Sequence, residues 1–293
     1  MRTAGFIGLG IMGLPMASNL VKAGFEVTGF DLSADSVAKF AAAGGKPAGS
    51  VAEAIDGAEL VITMLPADPH VEAVTATIFE TIKPGTLLID FSTIKPQTSQ
   101  QVAKKGAEKN VRVLDAPVSG GEAGAINAVL SIMVGGEQAD FDAAKPVFDA
   151  VGKVAALVGP SGAGQFVKAA NQLVVGGTYA LVAEAILLME ASGVDAKAGL
   201  DVLAGGLAAS RILELKRESM LARNFKPGFR IDLHHKDMGI VLDAARQAEV
   251  SLPFGGQVAA YIQAARAQGM GDLDHSALLA VLEKQSGRGE NRS

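Results

Sequence analysis

A chain of 293 residues is long enough for about two domains of roughly 150 residues each. The net charge of -5 comes from 26 basic and 31 acidic residues spread along the chain, without a basic block that could neutralise a phosphate backbone, so nucleic acid is not an expected partner. The chain has no cysteine, which excludes disulfides, thiolate nucleophiles and cysteine-based metal sites. The N-terminus lacks the apolar core of a signal peptide, and we expect a cytoplasmic protein.

The first half of the sequence alternates short apolar strands with helical patterns. This alternation predicts an α/β Rossmann-type doubly wound sheet over residues 1–162. Such strands need cover on both faces, and Ala-rich segments at residues 15–22, 36–43 and 98–109 are predicted to supply it. The predicted strands are TAGFIGL, EVTGF, LVITML, GTLLIDF, VRVLDA, LSIMVGG and KVAALVG.

The second half, residues 163–293, is predicted to be an all-α domain for substrate binding and oligomerisation. It begins with a long interdomain helix over residues 165–192, apolar around most of its circumference, which indicates a buried core helix. Gly176, Gly177 and Glu184 interrupt its apolar run, so we expect no membrane span. Further helices are predicted at residues 196–204, 211–222, 236–248, 256–268 and 276–285.

A glycine loop follows the first predicted strand and precedes a helix. Its GxGxxG spacing allows a tight turn and a close approach of a pyrophosphate to the amide groups that begin the helix. The spacing alone is weak evidence in a chain with 35 glycines, but its place between strand and helix favours a dinucleotide-binding loop. The residues expected to contact the cofactor here are Gly8, Leu9, Gly10, Ile11, Met12 and Gly13.

Asp31 ends the second predicted strand, where a carboxylate can accept hydrogen bonds from the adenosine ribose hydroxyls of NAD. It would repel a 2'-phosphate, and the next residue is Leu32 rather than an arginine. We therefore expect NAD(H) to be favoured, with NADP(H) possible.

Two later strand ends are expected on the cofactor side. The predicted strand LVITML ends at Met64, Leu65 and Pro66, and the predicted strand GTLLIDF ends at Ser92 and Thr93. Packing at the strand end, or capping of a helix, is an equally good interpretation of either segment.

Four ordered motifs carry a family resemblance: GFIGLGIMGLPMASNL at the start, DAPVSGG at 115–121, GAGQFVKAANQ at 162–172 and DLHHKDM at 232–238. With these, the chain resembles the β-hydroxyacid dehydrogenases from Arg2 to about Lys284. The segments GGLAASRILE and NFKPGFRIDLHHKD resemble the tartronate semialdehyde reductase branch more than the hydroxyisobutyrate or succinic semialdehyde branches. The resemblance implies an NAD(P)-dependent reduction of a small semialdehyde to a hydroxyacid, within glyoxylate metabolism.

Lys168 is the residue that the resemblance places at the centre of the reaction. It lies among apolar residues, where burial lowers the pKa of an ammonium and suits it to act as a general acid. A lysine that extends to solvent is the ordinary alternative for such a position. The matching lysine of the family is catalytic, so we expect Lys168 to be the general acid and base.

The resemblance assigns further roles around this lysine. Asn171, three residues along the same helix, is expected to bind the substrate or hold the lysine head group, and Gln172 is a weaker candidate. Ser119, Gly120 and Gly121 are expected to bind the carboxylate of the substrate, although SGG is more often an ordinary turn.

Lys236, which with Asp237 is predicted to begin a late helix, is expected at the nicotinamide end of the cofactor. Arg211 and Arg230 are possible additional carboxylate partners. His234 and His235 are adjacent and their side chains would diverge, so we expect no metal.

One segment departs from the family pattern, because Ala128, Val129 and Leu130 stand where these reductases have Gly-Thr-Leu. This loses a hydroxyl near the substrate and leaves the exact semialdehyde open. A 3-hydroxyisobutyrate dehydrogenase or another short-chain semialdehyde reductase is the nearest alternative, and a catalytically silent dinucleotide-binding regulatory protein is an alternative of another class. The apolar long helix predicts a homodimer or homotetramer.

Overall fold

The computed structural model describes residues 2–288 of the chain. The described residues form two compact units, of which the first ends at Lys168 and the second begins at Ala169. The boundary predicted between residues 162 and 163 lies slightly earlier, at the start of the long helix, and it stays a prediction.

The first unit is built on one sheet, and all seven strands that the sequence predicts are present in it. Two strands of two residues each were not predicted, because so short a segment has no periodicity to detect. In the described part of this unit the strands are β1 Thr3–Ile7, β2 Glu26–Phe30, β3 Lys46–Pro47, β4 Leu60–Thr63, β5 Leu87–Asp90, β6 Arg112–Asp115, β7 Val118–Ser119, β8 Leu130–Gly135 and β9 Gly152–Gly159.

The strand order is β3-β2-β1-β4-β5-β6-β8-β7, and β9 pairs with β8. The pairs from β3 through β6 are parallel, whereas β8 is antiparallel to both β6 and β7. The chain winds outward in both directions from β1 and β4, whose ends Ile7 and Thr63 are paired neighbours. In such sheets the ligand binds beside the carboxyl ends of the strands at this point of reversal.

Helices cover both faces of this sheet, which explains why its central strands are apolar without alternation. Ile62 and Ile89 point into one buried cluster, whereas Val61 and Leu88 point into another on the opposite face. The helices in this unit are α1 Gly13–Lys22, α2 Ala34–Ala42, α3 Val51–Ile55, α4 Asp68–Thr81, α5 Pro96–Glu108, α6 Gly121–Ile126 and α7 Gln138–Val151.

The described part of the second unit is helical. The long helix α8 begins in the first unit and ends in the second. The elements from there on are α8 Ala163–Ala191, α9 Ala196–Ala204, α10 Arg211–Leu221, α11 Ile231–Gln247, α12 Pro253–Ala267, a 3-10 turn His275–Ala277 and α13 Leu278–Gln285. A doubly wound α/β unit followed by an all-α unit confirms the predicted fold class.

The start of α11 differs from the prediction. The sequence predicts that this helix begins at Lys236, but it begins at Ile231. The sequence predicts a helix start at the charged pair Lys236 and Asp237, whereas His234 and Asp237 are buried and hydrogen-bonded within the helix. Polar residues that are satisfied inside a core are indistinguishable in sequence from surface residues.

The long helix α8 is not buried all round, which corrects the expectation from its apolar sequence. Tyr179, Ala183 and Ile186 are buried in the second unit, but Val174, Leu181 and Leu188 are 66%, 67% and 69% exposed. By length and composition alone α8 would also qualify as a membrane-crossing helix, with 39% of its most apolar window buried. A core helix of a soluble protein can meet the same criterion.

Candidate active site

The loop after β1 has the shape that a bound pyrophosphate requires. Gly8 has φ +98° and its N–H donates to the Phe30 carbonyl oxygen, and a Cβ at Gly8 would overlap the Met64 carbonyl oxygen. A Cβ at Gly13 would overlap the Gly8 carbonyl oxygen, so α1 begins directly against the loop. A Cβ at Gly10 would meet open space, which leaves the approach to this backbone clear. The three glycines therefore fit a dinucleotide for three separate physical reasons.

Asp31 is fixed in place at the end of β2 by the backbone around it. One carboxylate oxygen, Oδ2, accepts a hydrogen bond of 2.6 Å from the Leu9 N–H, and Oδ1 accepts one of 2.8 Å from the Ser33 N–H. Leu32 beside it is fully exposed. The glycine loop and the acid that follows β2 thus form one hydrogen-bonded unit, and the negative charge stands at a defined position beside the loop.

The strand ends at Met64 and Ser92 are tied to each other by buried hydrogen bonds. The Ser92 hydroxyl accepts from the Leu65 N–H at 2.8 Å and donates to Asp90, whose carboxylate also accepts from the Thr63 hydroxyl. Burial raises the pKa of Asp90, and these hydrogen bonds oppose the shift. Ser92 therefore serves to hold the strand ends together. Thr93, which follows it, is half-buried, and its contact with the cofactor remains a prediction, as do those of Met64, Leu65 and Pro66.

Asp115 at the end of β6 holds the beginning of α8. Its two carboxylate oxygens accept hydrogen bonds of 2.6 Å from the Gly162 N–H and 3.2 Å from the Gln165 N–H. A Cβ at Gly164 would lie 2.8 Å from this carboxylate and one at Gly135 would lie 2.5 Å away, so both positions need glycine. Burial is the largest effect on this group and raises the pKa of Asp115 to about 6, against the lowering by the two backbone bonds.

Lys168 lies one turn after this anchor and is directed into the first unit. Its side chain is buried, with 6% of the residue exposed, and Nζ donates a hydrogen bond of 2.8 Å to the Val118 carbonyl oxygen. Val118 immediately precedes Ser119, so the amine lies against the backbone of the predicted carboxylate-binding segment. The alternative of a lysine extended into solvent is wrong.

The segment after Ser119 needs glycine at two consecutive positions. Gly120 has φ +140° and Gly121 has φ +62°, and a Cβ at Gly120 would also press on Leu130 at 3.0 Å. Ser119 itself is half-buried. The glycine that the family has at position 128 suits the backbone better than alanine, because Ala128 has φ +54°, a region that glycine adopts without steric cost and a Cβ disfavours. Nothing in the structure explains the replacement by alanine.

In the second unit, the predicted site residues are joined by a chain of hydrogen bonds. Asn171 Nδ2 donates to Gln172 Oε1 at 2.8 Å, and Gln172 Nε2 donates to Asp237 Oδ2 at 2.6 Å. Asp237 Oδ1 forms an ion pair of 3.1 Å with Lys236 Nζ. The structure thus brings Asn171 and Lys236 to the two ends of one network, with Gln172 buried at its centre.

Two residues in the first unit were missed by the sequence reasoning. Asp115 stands at the head of the DAPVSGG motif, and its place at a strand end was the available signal. Gln165 is fully buried, donates to the Ser92 carbonyl oxygen at 2.9 Å and accepts from the Ile94 N–H at 3.2 Å. An amide in a helical stretch carries no sequence signal for such a bridge.

The remaining candidates, Arg211 and Arg230, form ion pairs with residues outside these networks. Arg211 pairs with Glu214 at 2.6 Å on α10, and Arg230 pairs with Asp272 at 3.3 Å. Their role as carboxylate partners remains a prediction. Among residues 2–288, no cluster of three or more His, Asp or Glu side chains is arranged to hold a metal ion.

Two protein families match almost the whole chain between them. Residues 3–159 match the family described as the NAD binding domain of 6-phosphogluconate dehydrogenase. Residues 162–282 match the family described as NAD-binding of NADP-dependent 3-hydroxyisobutyrate dehydrogenase.

Individual relatives are similar over nearly their full length. The 2-hydroxy-3-oxopropionate reductase of Escherichia coli (strain K12) is 41% identical over 95% of this chain and 96% of the relative. The 2-(hydroxymethyl)glutarate dehydrogenase of Eubacterium barkeri is 36% identical over 97% of this chain and 95% of the relative. A solved structure of Mycobacterium tuberculosis 3-hydroxyisobutyrate dehydrogenase with L-serine has a TM-score of 0.89 at 35% identity, and the match covers 96% of this chain and 99% of that one. The names agree on reduction or dehydrogenation, and they differ in the substrate.

Asp115 predicts a specific dependence of stability on pH. Its pKa is about 6 in the folded protein and near the ordinary 3.8 when unfolded, so between these values the folded state binds the additional proton. The stability from this group is fully present below about pH 4 and is lost as pH rises through 6. Asp115→Asn removes this titrating group. The stability of the original chain relative to the variant, measured as the difference between their free energies of unfolding, should therefore fall by up to about 3 kcal/mol as pH rises from 4 to 7.

Urea unfolding of both proteins at four pH values across this range measures that difference. Glu80→Gln, at an exposed position of α4, is the control for removal of one carboxylate. A difference that is constant with pH would show that Asp115 does not titrate in this way.

Proposed function

Because this chain belongs to the β-hydroxyacid dehydrogenase family, we propose that it reduces tartronate semialdehyde (2-hydroxy-3-oxopropanoate) to glycerate in a reversible reaction. The chain is an oxidoreductase with a nicotinamide dinucleotide cofactor. The observation that carries the proposal is the buried amine of Lys168, hydrogen-bonded to the backbone immediately before Ser119. A buried, fixed proton donor beside a segment suited to a carboxylate is the arrangement that an acid with a neighbouring carbonyl group requires.

Lys168 acts as the general acid of the reduction. When bound, the dinucleotide supplies the hydride, or accepts it in the reverse direction. Lys168 donates its proton to the carbonyl oxygen of the aldehyde, so that the oxygen becomes a hydroxyl group and no free alkoxide has to form. In the oxidation of glycerate the neutral amine removes the same proton.

The other residues bind and orient the substrate. We assign the substrate carboxylate to Ser119, Gly120 and Gly121, where a hydroxyl and backbone N–H groups can donate to it. Asn171 is assigned to the substrate as well, and its amide is held by Gln172. Lys236, held by Asp237, is assigned to the nicotinamide end of the cofactor.

NADH is the cofactor that the surroundings of Asp31 favour. Its carboxylate is held by the Leu9 and Ser33 N–H groups beside the glycine loop, where it would repel a 2'-phosphate. Leu32, which follows it, brings no positive charge to balance that repulsion.

The identity of the semialdehyde rests on the branch of the family. The Escherichia coli reductase is 41% identical, compared with 36% and 35% for the relatives named for other substrates. A 3-hydroxyisobutyrate dehydrogenase or another short-chain semialdehyde reductase is the second candidate, favoured by the replacement of a hydroxyl with Val129. A silent dinucleotide-binding protein is disfavoured because Lys168, Asn171 and Ser119 are all retained.

The proposal predicts the order of substrates in a direct assay. Initial rates of NADH and NADPH oxidation are measured with tartronate, succinic and methylmalonate semialdehydes, and each pair is ranked by kcat/KM. We expect tartronate semialdehyde with NADH to rank first. A higher efficiency with methylmalonate semialdehyde would assign the chain to the hydroxyisobutyrate branch, and no turnover despite dinucleotide binding would favour the silent protein.

Removal of the Lys168 amine tests its role. Lys168→Ala should lower kcat by roughly 10²- to 10⁴-fold, because positioned acid catalysis contributes about that factor, and the affinity for NADH should stay nearly unchanged. Lys168→Met should behave in the same way while it keeps the packing of the stem. Lys104→Ala, at an exposed position of α5, is the control. A Lys168→Met variant with the turnover of the original chain would remove Lys168 from the mechanism.

We also propose that the chain forms a homodimer or homotetramer through α8. Val174, Leu181 and Leu188 recur at intervals of two helical turns on the exposed side of this helix and form an apolar stripe. Sedimentation velocity should give a dimer or tetramer, and Leu181→Glu should shift it toward monomer because a charge would be buried in the interface. Sedimentation of the unchanged protein as a monomer at micromolar concentration would contradict the proposal.

A further inference from the structure

Two buried histidines of the second unit face each other, and the mechanism above uses neither. His234 lies on α11 and His275 in the 3-10 turn before α13, and their Nδ1 atoms are 3.0 Å apart. His234 is fully buried and His275 nearly so. At this distance a single N–H lies between the two nitrogens, because two facing N–H groups would repel each other.

The other ring nitrogen of His234 fixes which atom carries that hydrogen. Nε2 of His234 lies 3.2 Å from the carbonyl oxygen of Gln172. A carbonyl oxygen only accepts, so Nε2 carries a hydrogen and donates it. In neutral His234, Nδ1 is then the acceptor and His275 Nδ1 is the donor.

His234 and Asp237 hold the same residue of α8 at two points. His234 binds the backbone carbonyl of Gln172, and Asp237, three residues further along α11, accepts from the side chain of Gln172 at 2.6 Å. Residues three apart lie on one face of a helix, so one face of α11 fixes both the backbone and the amide of Gln172. The amide of Gln172 in turn accepts from Asn171 Nδ2.

The surroundings of the histidine pair keep both rings in place. Gly176 of α8 makes room for His234, since a Cβ there would lie 3.1 Å from His234 Nε2 and 2.7 Å from Val258 Cγ1. The ring of Tyr179 packs against His275 in a tilted arrangement, with centroids 3.7 Å apart and an interplanar angle of 42°. Beside His275, Asp274 is fixed by Ser276, Lys216 and the N–H groups of residues 228 and 229.

We propose that His234, oriented by His275, is a positioning residue for the active site. It fixes Gln172, and through Gln172 it sets the amide of Asn171 and the carboxylate of Asp237 that holds Lys236. The inference rests on the proposed function in one respect, namely that Asn171 and Lys236 act on the substrate and the cofactor. The proposed role of His234 differs from a packing role because it depends on a single N–H group, at Nε2 of the ring.

Two amide substitutions separate the two ring nitrogens. In His234→Gln the side-chain amide can place its NH₂ near the position of Nε2 and keep the bond to the Gln172 carbonyl. In His234→Asn the amide reaches only the position of Nδ1, so that bond is lost while a contact with His275 is kept. Each variant replaces the buried ring with a smaller amide and loses its packing, and Asn is one methylene shorter than Gln. The thermal midpoint of each variant therefore measures the structural change separately.

Steady-state kinetics with tartronate semialdehyde and NADH is the functional readout. We expect kcat/KM of His234→Gln to stay within about 3-fold of the unchanged enzyme and that of His234→Asn to fall by about 10- to 100-fold, since a small misplacement of a positioning group costs on this order. Equal losses in both variants, or losses that follow the thermal midpoints, would show a structural role only and overturn the proposal.

The hydrogen-bond pattern can be measured without any substrate. The chain has four histidines, so long-range ¹H–¹⁵N correlation spectra of histidine-labelled protein resolve each ring tautomer. We expect Nε2–H for His234 and Nδ1–H for His275. In uniformly ¹⁵N-labelled protein we expect a shift of the Asn171 side-chain amide in His234→Asn but not in His234→Gln. An Nδ1–H tautomer of His234 would overturn the proposal. If the unchanged protein reduces no semialdehyde, the proposed function fails, and these spectra still decide the inference.

Discussion

The contact on which the candidate site residues of the first unit depend is the one between the Asp115 carboxylate and the backbone that begins α8. Two oxygens of one buried side chain accept from Gly162 and Gln165, and the glycines at 135 and 164 leave no space between carboxylate and backbone. A helix end inside a protein needs acceptors for its free N–H groups, and here β6 supplies them. The first turn of α8 is therefore fixed to the sheet, and Lys168 one turn later reaches the Val118 carbonyl.

In the second unit, the predicted site residues are positioned by a different kind of contact, a chain of hydrogen-bonded polar side chains in the interior. Gln172 is its centre, because its side chain accepts from Asn171 and donates to Asp237 while its carbonyl accepts from His234. Burial of such groups is costly unless each finds a partner, and a partly satisfied network would be less stable than an apolar core. The arrangement therefore has few alternatives once α11 packs on α8, and this fixes where Asn171 and Lys236 stand.

Much of the fold and part of the site follow from the sequence. The strands were predictable because apolar runs bounded by glycine and polar residues repeat along the first half. The loop at Gly8, Gly10 and Gly13 was predictable because the GxGxxG spacing stands between a predicted strand and a predicted helix. The start of α11 was not predictable, because the charged pair Lys236 and Asp237 resembles a helix start in sequence until the partners of Asp237 are known. Gln165 was missed and Gln172 was ranked as a weaker candidate, because the sequence does not distinguish a buried glutamine from a solvated one. The residues on the exposed side of α8 could not be predicted, because an apolar pattern does not reveal which of its faces the chain itself covers.

The central claim is that the amine of Lys168 transfers the proton to the substrate oxygen, and chemical rescue tests it most directly. Lys168→Ala is assayed with NADH and tartronate semialdehyde while methylamine or ethylamine is added at constant pH. The account predicts that small primary amines accelerate the variant in proportion to the concentration of their ammonium form, and that trimethylamine, too bulky for the vacated position, does so much less. Acceleration that is the same for all these amines, or a variant already as fast as the original chain before any amine is added, would contradict it.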